Sequence, residues 1–175
     1  MLLADQFIGD ILGKPAWRVT EPGEVTRELL SAGPDGFAYA KVDCADITSI
    51  IALEKLEFNL IDTNTQFNRS NMEPWSGVEL QAGYDVRFAD PADAAEVEQV
   101  AATSFVCTRF HLDPLISDNM ANNIKRDWAG NYFKDRRGNW MVVLTCRGNI
   151  VGFLQLLSKN GTIIIDLIAV DKTHQ

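Results

Sequence analysis

The chain has 175 residues, of which 46% are hydrophobic and 23% charged, and its formal net charge is −8 at pH 7. This length allows one ordinary domain or two small ones, and the composition is that of a globular protein with a hydrophobic core. The acidic excess excludes the broad positive surface that nucleic-acid binding needs, so we expect no nucleic-acid partner. The acidic net charge is still compatible with binding of a phosphate-bearing small molecule, because backbone N–H groups at a helix start can hold phosphate.

The sequence has no membrane or export signal that we recognise. Its first 13 residues include two aspartates and no basic residue, and its longest apolar run, at 162–170, is of strand length and contains Asp166. The three cysteines are far apart and in no metal-binding spacing, which indicates reduced thiols. We therefore expect a cytoplasmic protein without membrane association.

Residues 1–68 predict a small N-terminal α/β domain. Apolar residues at helical spacing end at Gly13, Pro22 is typical of a helix start, and Asp46 is placed to cap a third helix. The second of these helices would turn Val25 and Leu29 inward and end at Gly33. The predicted elements are a helix over 3–12, a strand over 16–20, a helix from 22, a strand over 37–42, a helix from 47 and a strand over 58–67.

Residues 69–83 contain glycine, proline and polar residues without periodicity, which predicts a linker. The second unit, 84–175, has its own pattern of strands and helices. Asp90-Pro91 is typical of a helix start, and Asn160-Gly161 predicts a hairpin turn. Its predicted elements are a strand over 84–88, a helix over 91–105, an irregular stretch over 109–114, a helix over 118–132, and strands over 140–146, 150–157 and 163–170.

The order β-α-α-β-β-β, ending in an apolar strand and a polar tail, resembles the GNAT family of acetyl-CoA-dependent N-acetyltransferases. Members carry a V-x-x-x-x-[Q/R] pattern between the fourth strand and a glycine-rich loop, and Val170 and Gln175 hold this spacing. We expect the glycine loop and later elements to lie beyond residue 175. The resemblance thus implies an α/β (α+β) protein: the N-terminal α/β domain, then an incomplete GNAT-like mixed sheet flanked by helices.

The resemblance implies acetyl-CoA as co-substrate and no metal. The pantetheine arm of acetyl-CoA carries two amides that can pair with a free strand edge, and its pyrophosphate needs closely approaching backbone N–H groups. By resemblance, Gln175 opens the phosphate loop. The alternative is a buried strand with a polar tail. The residues implied to pair with pantetheine are Leu167, Ile168, Ala169 and Val170.

The run 103–114, with Trp128 and the Arg137-Gly138 turn, is similar to the branch of this family that acetylates nucleotide-linked amino sugars such as dTDP-fucosamine. This implies a small-molecule amine acceptor, with Arg109 and His111 binding it, and leaves a homodimer open. Arg109 could hold a diphosphate through two hydrogen bonds, or could equally form a salt bridge. His111 and Asp113 are only two potential metal ligands, and a third is not visible.

Asp166 is the one carboxylate in the last apolar strand, and acetyl transfer needs a group that removes a proton from an ammonium. We interpret Asp166 as the candidate base or amine-binding residue, with a structural arginine pair as the alternative. The turn at Arg136-Arg137 is interpreted as solvated. In the GNAT family a tyrosine beyond the fourth strand often serves as general acid, and no residue here matches it.

The sequence therefore predicts an N-acetyltransferase that acts on a primary amine of a nucleotide-linked sugar. Two alternatives stay open. The acceptor amine could belong to an amino acid, a polyamine or a protein, or the chain could be a non-catalytic binding domain.

Overall fold

A computed structural model of the chain describes residues 1–27, 36–70, 77 and 79–175. It has the predicted mixed α/β architecture, with two sheets flanked by helices. The chain forms two compact units, Met1–Thr63 and Asn64–Gln175. Most of the predicted linker core, residues 71–76 and 78, lies outside the described residues, and the predicted domain limits stay predictions. In the described part, no helix is long and apolar enough to cross a membrane.

The first unit contains a three-stranded sheet of order β1-β2-β3, in which β1 and β2 are antiparallel and β2 and β3 are parallel. Val19, Val25 and Leu53 form one of its buried clusters. Asp5 accepts the Ile8 N–H and Asp46 accepts the Ser49 N–H, so both helices begin with a side-chain cap. The elements are β1 (Leu2–Ala4), α1 (Gln6–Leu12), β2 (Ala16–Val19), β3 (Phe37–Ala40) and α2 (Ile47–Lys55).

Two predictions for this unit need correction or lie outside the described residues. The strand expected over 58–67 is wrong: this stretch has no regular structure, and Leu60 and Phe67 are 85% and 90% exposed. No strand in the described residues pairs with it, so its apolar residues have no sheet to join. The helix expected from Pro22 begins as a short 3₁₀ turn, Pro22–Glu24, and its predicted later part falls on residues 28–35, outside the described residues.

The second unit holds a four-stranded antiparallel sheet of order β4-β5-β6-β7. The side chain of Asp90 accepts the Ala92 N–H and starts the first helical segment as predicted, and Asn160 and Gly161 have φ of 50° and 75° in the last hairpin. The elements are β4 (Tyr84–Phe88), α3 (Ala94–Ser104), a short α4 (Arg109–Leu112), α5 (Asp118–Gly130), β5 (Trp140–Cys146), β6 (Asn149–Lys159) and β7 (Thr162–Val170).

The helices α3 and α5 pack together, and α3 also contacts the sheet through β6 and β7. Val97, Ala101, Ala129, Met141 and Val143 are fully inaccessible in this core. Burying one large apolar side chain stabilises a fold by about 1.5–3 kcal/mol, so this layer fixes how α5 lies relative to β7. That placement decides which polar side chains meet between them.

Strand β7 contains a β-bulge at Asp166. Gln155 of β6 pairs with Leu167, but the next residue, Leu156, pairs with Ile165, which leaves Asp166 without a partner. A bulge bends the strand and re-aims the extra side chain. Because β7 is the last strand in the sheet, its other edge is unpaired within the described residues.

Candidate functional site

Asp166 is the centre of a buried polar cluster. Its side chain is 8% exposed and accepts two hydrogen bonds from Arg137, from Nε to Oδ2 at 2.6 Å and from Nη2 to Oδ1 at 2.5 Å. Trp128 Nε1 and Gln155 Nε2 each donate to Oδ2 at 3.2 Å. Arg137 is therefore the arginine partner that a structural role of Asp166 requires. The role of Asp166 as base stays a prediction. The interpretation of Arg137 as part of a solvated turn is wrong.

A lysine lies beside this cluster, enclosed by three aromatic rings. Lys125 is 8% exposed, and its Nζ lies 4.7 Å from the ring centroid of Phe105, 5.1 Å from Trp128 and 5.6 Å from Phe110. We call these three rings the aromatic box. Arg137 shares the box, since its Cζ lies 4.7 Å from the Trp128 centroid. Trp128 thus contacts both cations while its indole N–H binds Asp166.

Burial is the main reason why the pKa of Lys125 falls from 10.5 to about 8. The positive charge of Arg109 lowers this pKa further, and the negative charge of Asp166 opposes the shift. The aromatic faces attract the ammonium form and reduce the free-energy cost of burying its charge. Within the described part of the chain, Nζ has no hydrogen-bond or salt-bridge partner, so the rings and the more distant charge of Asp166 stabilise this cation.

Arg109 and His111 both lie on α4, on the side of the aromatic box. The Arg109 Cζ lies 4.7 Å from the Phe110 centroid, and the salt bridge proposed as its alternative role is absent among the described residues. His111 is held on both ring nitrogens: Nδ1 lies 2.8 Å from Thr108 Oγ1 and Nε2 lies 3.0 Å from Asn122 Oδ1. The Nε2–H tautomer satisfies both contacts, since it donates to Asn122 Oδ1 and accepts from Thr108 at Nδ1. Acceptor binding by Arg109 and His111 stays a prediction.

The residues predicted to bind acetyl-CoA lie along the second half of β7. Leu167 and Ala169 point into the core, whereas Ile168 is 55% exposed. Val142, Leu144, Leu154, Ile168 and Val170 line an apolar depression of about 140 Å³ on the sheet. Gln175 Nε2 donates to the Val170 carbonyl at 2.8 Å, which fixes the tail against the end of the strand. Cofactor binding by these residues stays a prediction.

The cluster joins Asp166, the predicted base, to Arg109, which is predicted to bind the acceptor. Asp166 contacts Trp128, Trp128 contacts Lys125, and Lys125 shares the Phe110 ring with Arg109. One carboxylate and three cations therefore meet around two aromatic rings. No group of three or more His, Cys, Asp or Glu side chains in the described residues is arranged to hold a metal ion.

This chain is similar to the spore coat polysaccharide biosynthesis protein SpsD of Bacillus subtilis (strain 168). The two are 33% identical over 81 residues, which is 46% of this chain. The match covers 28% of SpsD, so this chain corresponds to less than a third of that relative's length. No protein-family model matches the chain.

Three members of the cluster were not predicted as site residues: Lys125, Arg137 and Gln155. The four-residue spacing of Met120, Ile124, Trp128 and Tyr132 predicts them as the inward face of α5, whereas the buried residues of the helix are Ala121, Ile124, Lys125, Ala129 and Gly130. One signal was available, since a lysine next to the buried Ile124 falls within the inward sector of the helix. Arg137 and Gln155 become partners only through tertiary packing.

Gly138 keeps space for this cluster. Its φ is +97°, and an added Cβ would lie 2.9 Å from Tyr132 Cδ2 and 3.2 Å from Gln155 Cγ. Gly138→Ala is expected to lower the free energy of unfolding by about 2–4 kcal/mol, from backbone strain plus this overlap. Gly148→Ala is the matched control, because its φ is +88° and no atom lies within 4 Å of the added Cβ. Urea denaturation compares the two variants, and equal losses would show that packing against Gln155 is not tight.

Proposed function

We propose that this chain carries an N-acetyltransferase site that moves an acetyl group from acetyl-CoA to a primary amine of a nucleotide-linked sugar. The observation that carries the proposal is the free edge of β7 with its bulge at Asp166. A strand edge offers backbone groups in the spacing that the two amides of pantetheine can pair with. The bulge interrupts the regular pairing of β7 with β6 beside those groups and re-aims the Asp166 carboxylate.

The composition of β7 supports a ligand at this edge. The strand has nine residues, contains no lysine or proline, and exposes Ile163, Ile165 and Ile168. Exposed edges of this kind are usually protected by charge, proline or a covering element, because they otherwise pair with other chains. A cofactor that pairs with the edge would give the same protection. The resemblance to the GNAT family assigns this position to acetyl-CoA.

The acceptor class is supported by two independent observations. SpsD, to which the chain is similar over 81 residues, is described as a protein of spore coat polysaccharide biosynthesis, and this favours a sugar as acceptor. Arg109 lies next to Lys125 without an acidic partner in the described residues, which favours an anionic group on that sugar. A nucleotide-linked amino sugar has both properties.

The reaction needs a neutral amine that attacks the thioester carbonyl. The new C–N bond forms, the C–S bond breaks, and the CoA thiolate leaves with a proton from the amine. In this proposal Asp166 lies closest to the paired cofactor and binds or deprotonates the incoming ammonium. Accepting a proton would require Asp166 to release part of its contact with Arg137, since four donors already bind its two oxygens.

Titration with acetyl-CoA, followed by amide NMR, tests the cofactor assignment. We expect the signals of 167–170 to shift, while those of β4, the other outer strand of the same sheet, stay unchanged. Adenosine 3′,5′-bisphosphate keeps the nucleotide but lacks pantetheine, so it should leave 167–170 unaffected. Because the glycine loop that would hold the pyrophosphate is expected beyond residue 175, these shifts should need millimolar acetyl-CoA. Shifts of equal size with both ligands, or no shift even at that concentration, would contradict the proposal.

Thiol release from acetyl-CoA tests the acceptor in a protein that also carries the glycine loop expected beyond residue 175, since the cofactor site is incomplete without that loop. A thymidine-diphosphate-linked amino sugar should release CoA faster than the free amino sugar or a polyamine. Faster release with the polyamine would remove the sugar from the proposal and leave acetyl transfer intact.

A further inference from the structure

Arg109 and Lys125 are two cations without an acidic partner among the described residues. The chain has 24 acidic and 16 basic residues, so carboxylates outnumber cations. Even so, neither side chain forms a salt bridge or a side-chain hydrogen bond with any described residue. Arg87 and Arg137 in the same unit differ, since each binds a buried aspartate through both oxygens. Other cations of this unit that lack a partner among the described residues, such as Lys134, are exposed, whereas Lys125 is buried and Arg109 is half-buried.

The two cations share one aromatic ring, and Lys125 is buried. Both lie over the Phe110 ring, Arg109 Cζ at 4.7 Å and Lys125 Nζ at 5.6 Å from its centroid, and Lys125 is more than nine-tenths buried. Like charges at short range in a partly buried site repel one another and destabilise the fold. The neighbouring Asp166 does not neutralise them, because Arg137 already occupies both of its oxygens. A bound anion would offset this repulsion.

We infer that Arg109 and Lys125 form the binding site for a phosphate-bearing anion, the diphosphate of a nucleoside diphosphate, and that its binding is coupled to proton uptake by Lys125. The planar guanidinium of Arg109 suits two phosphate oxygens, and the ammonium of Lys125 supplies a point charge. Assigning this diphosphate to the sugar acceptor rests on the proposed function. The anion site itself does not depend on the proposed function.

The proton coupling follows from the charges that face Lys125. Arg109 faces it from α4, Asp166 from β7, and Arg137 meets it only across the Trp128 ring. With a pKa of about 8, Lys125 is partly neutral just above physiological pH. A bound anion favours the ammonium form and raises this pKa, so binding near pH 8 draws a proton from the buffer. At pH 6 the lysine is already protonated, and the uptake should vanish.

Calorimetric titration with thymidine 5′-diphosphate, in two buffers of different ionisation enthalpy, measures this uptake. At pH 8 we expect about half a proton per site for the wild type and none for Lys125→Met. Each of Lys125→Met and Arg109→Ala should weaken binding by about ten- to a hundred-fold. Lys125→Arg keeps a permanent charge and should retain binding without proton uptake. Coenzyme A in parallel distinguishes a cofactor phosphate from an acceptor diphosphate as the source of the anion.

Lys134→Met and Arg136→Ala are the matched controls, because both residues are exposed cations on the neighbouring turn. Binding equal to wild type in Lys125→Met, or proton uptake that persists in that variant, would overturn the inference. Intact uptake with no acetyl-CoA shifts on β7 would instead remove the proposed function and leave the anion site. Acetyl-CoA shifts on β7 without any proton uptake would remove the anion site and leave the proposed function.

Discussion

Replacing Arg137 by methionine is expected to lower the free energy of unfolding by about 2–4 kcal/mol. The substitution leaves the Asp166 carboxylate, only 8% exposed, with the two neutral donors of Trp128 and Gln155 and without its cation. Breaking a fully buried ion pair on one side costs about 3–5 kcal/mol, and the lower figure here reflects the 39% exposure of Arg137. Urea denaturation measures the change as a shift in midpoint at constant m-value.

Two variants make this result specific. Arg136→Met removes the adjacent exposed arginine and should change stability by less than about 0.5 kcal/mol. The double variant Arg137→Met, Asp166→Leu removes both charges and should recover most of the loss, because no carboxylate stays buried without a partner. A double variant no more stable than Arg137→Met would show that Arg137 acts through its stacking on Trp128.

Replacing Lys125 by methionine is expected to have the opposite effect and to stabilise the protein at pH 7 by about 1–3 kcal/mol. A pKa lowered from 10.5 to about 8 means that the folded state disfavours the ammonium form by up to about 3 kcal/mol. Methionine fills a similar volume and keeps contact with the rings of the aromatic box. Stabilisation on removing a charge, in a residue proposed to bind a ligand, is the usual exchange between stability and function.

The stability gained by Lys125→Met should fall as the pH rises. Between pH 8 and 10.5 the unfolded state binds more protons at Lys125 than the folded state, so wild-type stability due to this group rises with pH. The advantage of Lys125→Met should therefore be largest below pH 8 and shrink towards pH 10.5. Lys134→Met, an exposed lysine, should show neither the gain nor the pH dependence. A loss of stability at pH 7 would mean that the three rings outweigh the cost of burial.

The sequence predicted the second unit well because its signals are local. Asp90-Pro91 starts a helix, Asn160-Gly161 closes a hairpin, and the strands of the meander alternate or run apolar at the expected length. The predicted strand over 58–67 failed because its apolar residues depend on a neighbouring strand, which a local pattern does not report. Burial is a property of packing between elements.

The candidate site was predicted only in part, because packing between elements also decides which side chains meet there. Asp166 stood out, because a carboxylate inside an apolar strand has few low-energy environments. Its partner did not, since Arg137 reads as one of two arginines in a polar turn and meets Asp166 across 29 positions of sequence. Lys125 was missed because an inward lysine breaks the helical pattern that identifies an inward face. Such a conflict between pattern and structure is itself typical of functional positions.

The bulge at Asp166 also governs how this strand can be aligned with related sequences. Ahead of it, Ile163 and Ile165 are exposed; beyond it the exposed residue is Ile168, three positions from Ile165 instead of the even number that a regular strand requires. A relative that lacks the bulge therefore matches this chain only through a one-residue gap opposite Asp166. An ungapped alignment would exchange the core-facing and outward-facing positions on one side of that point.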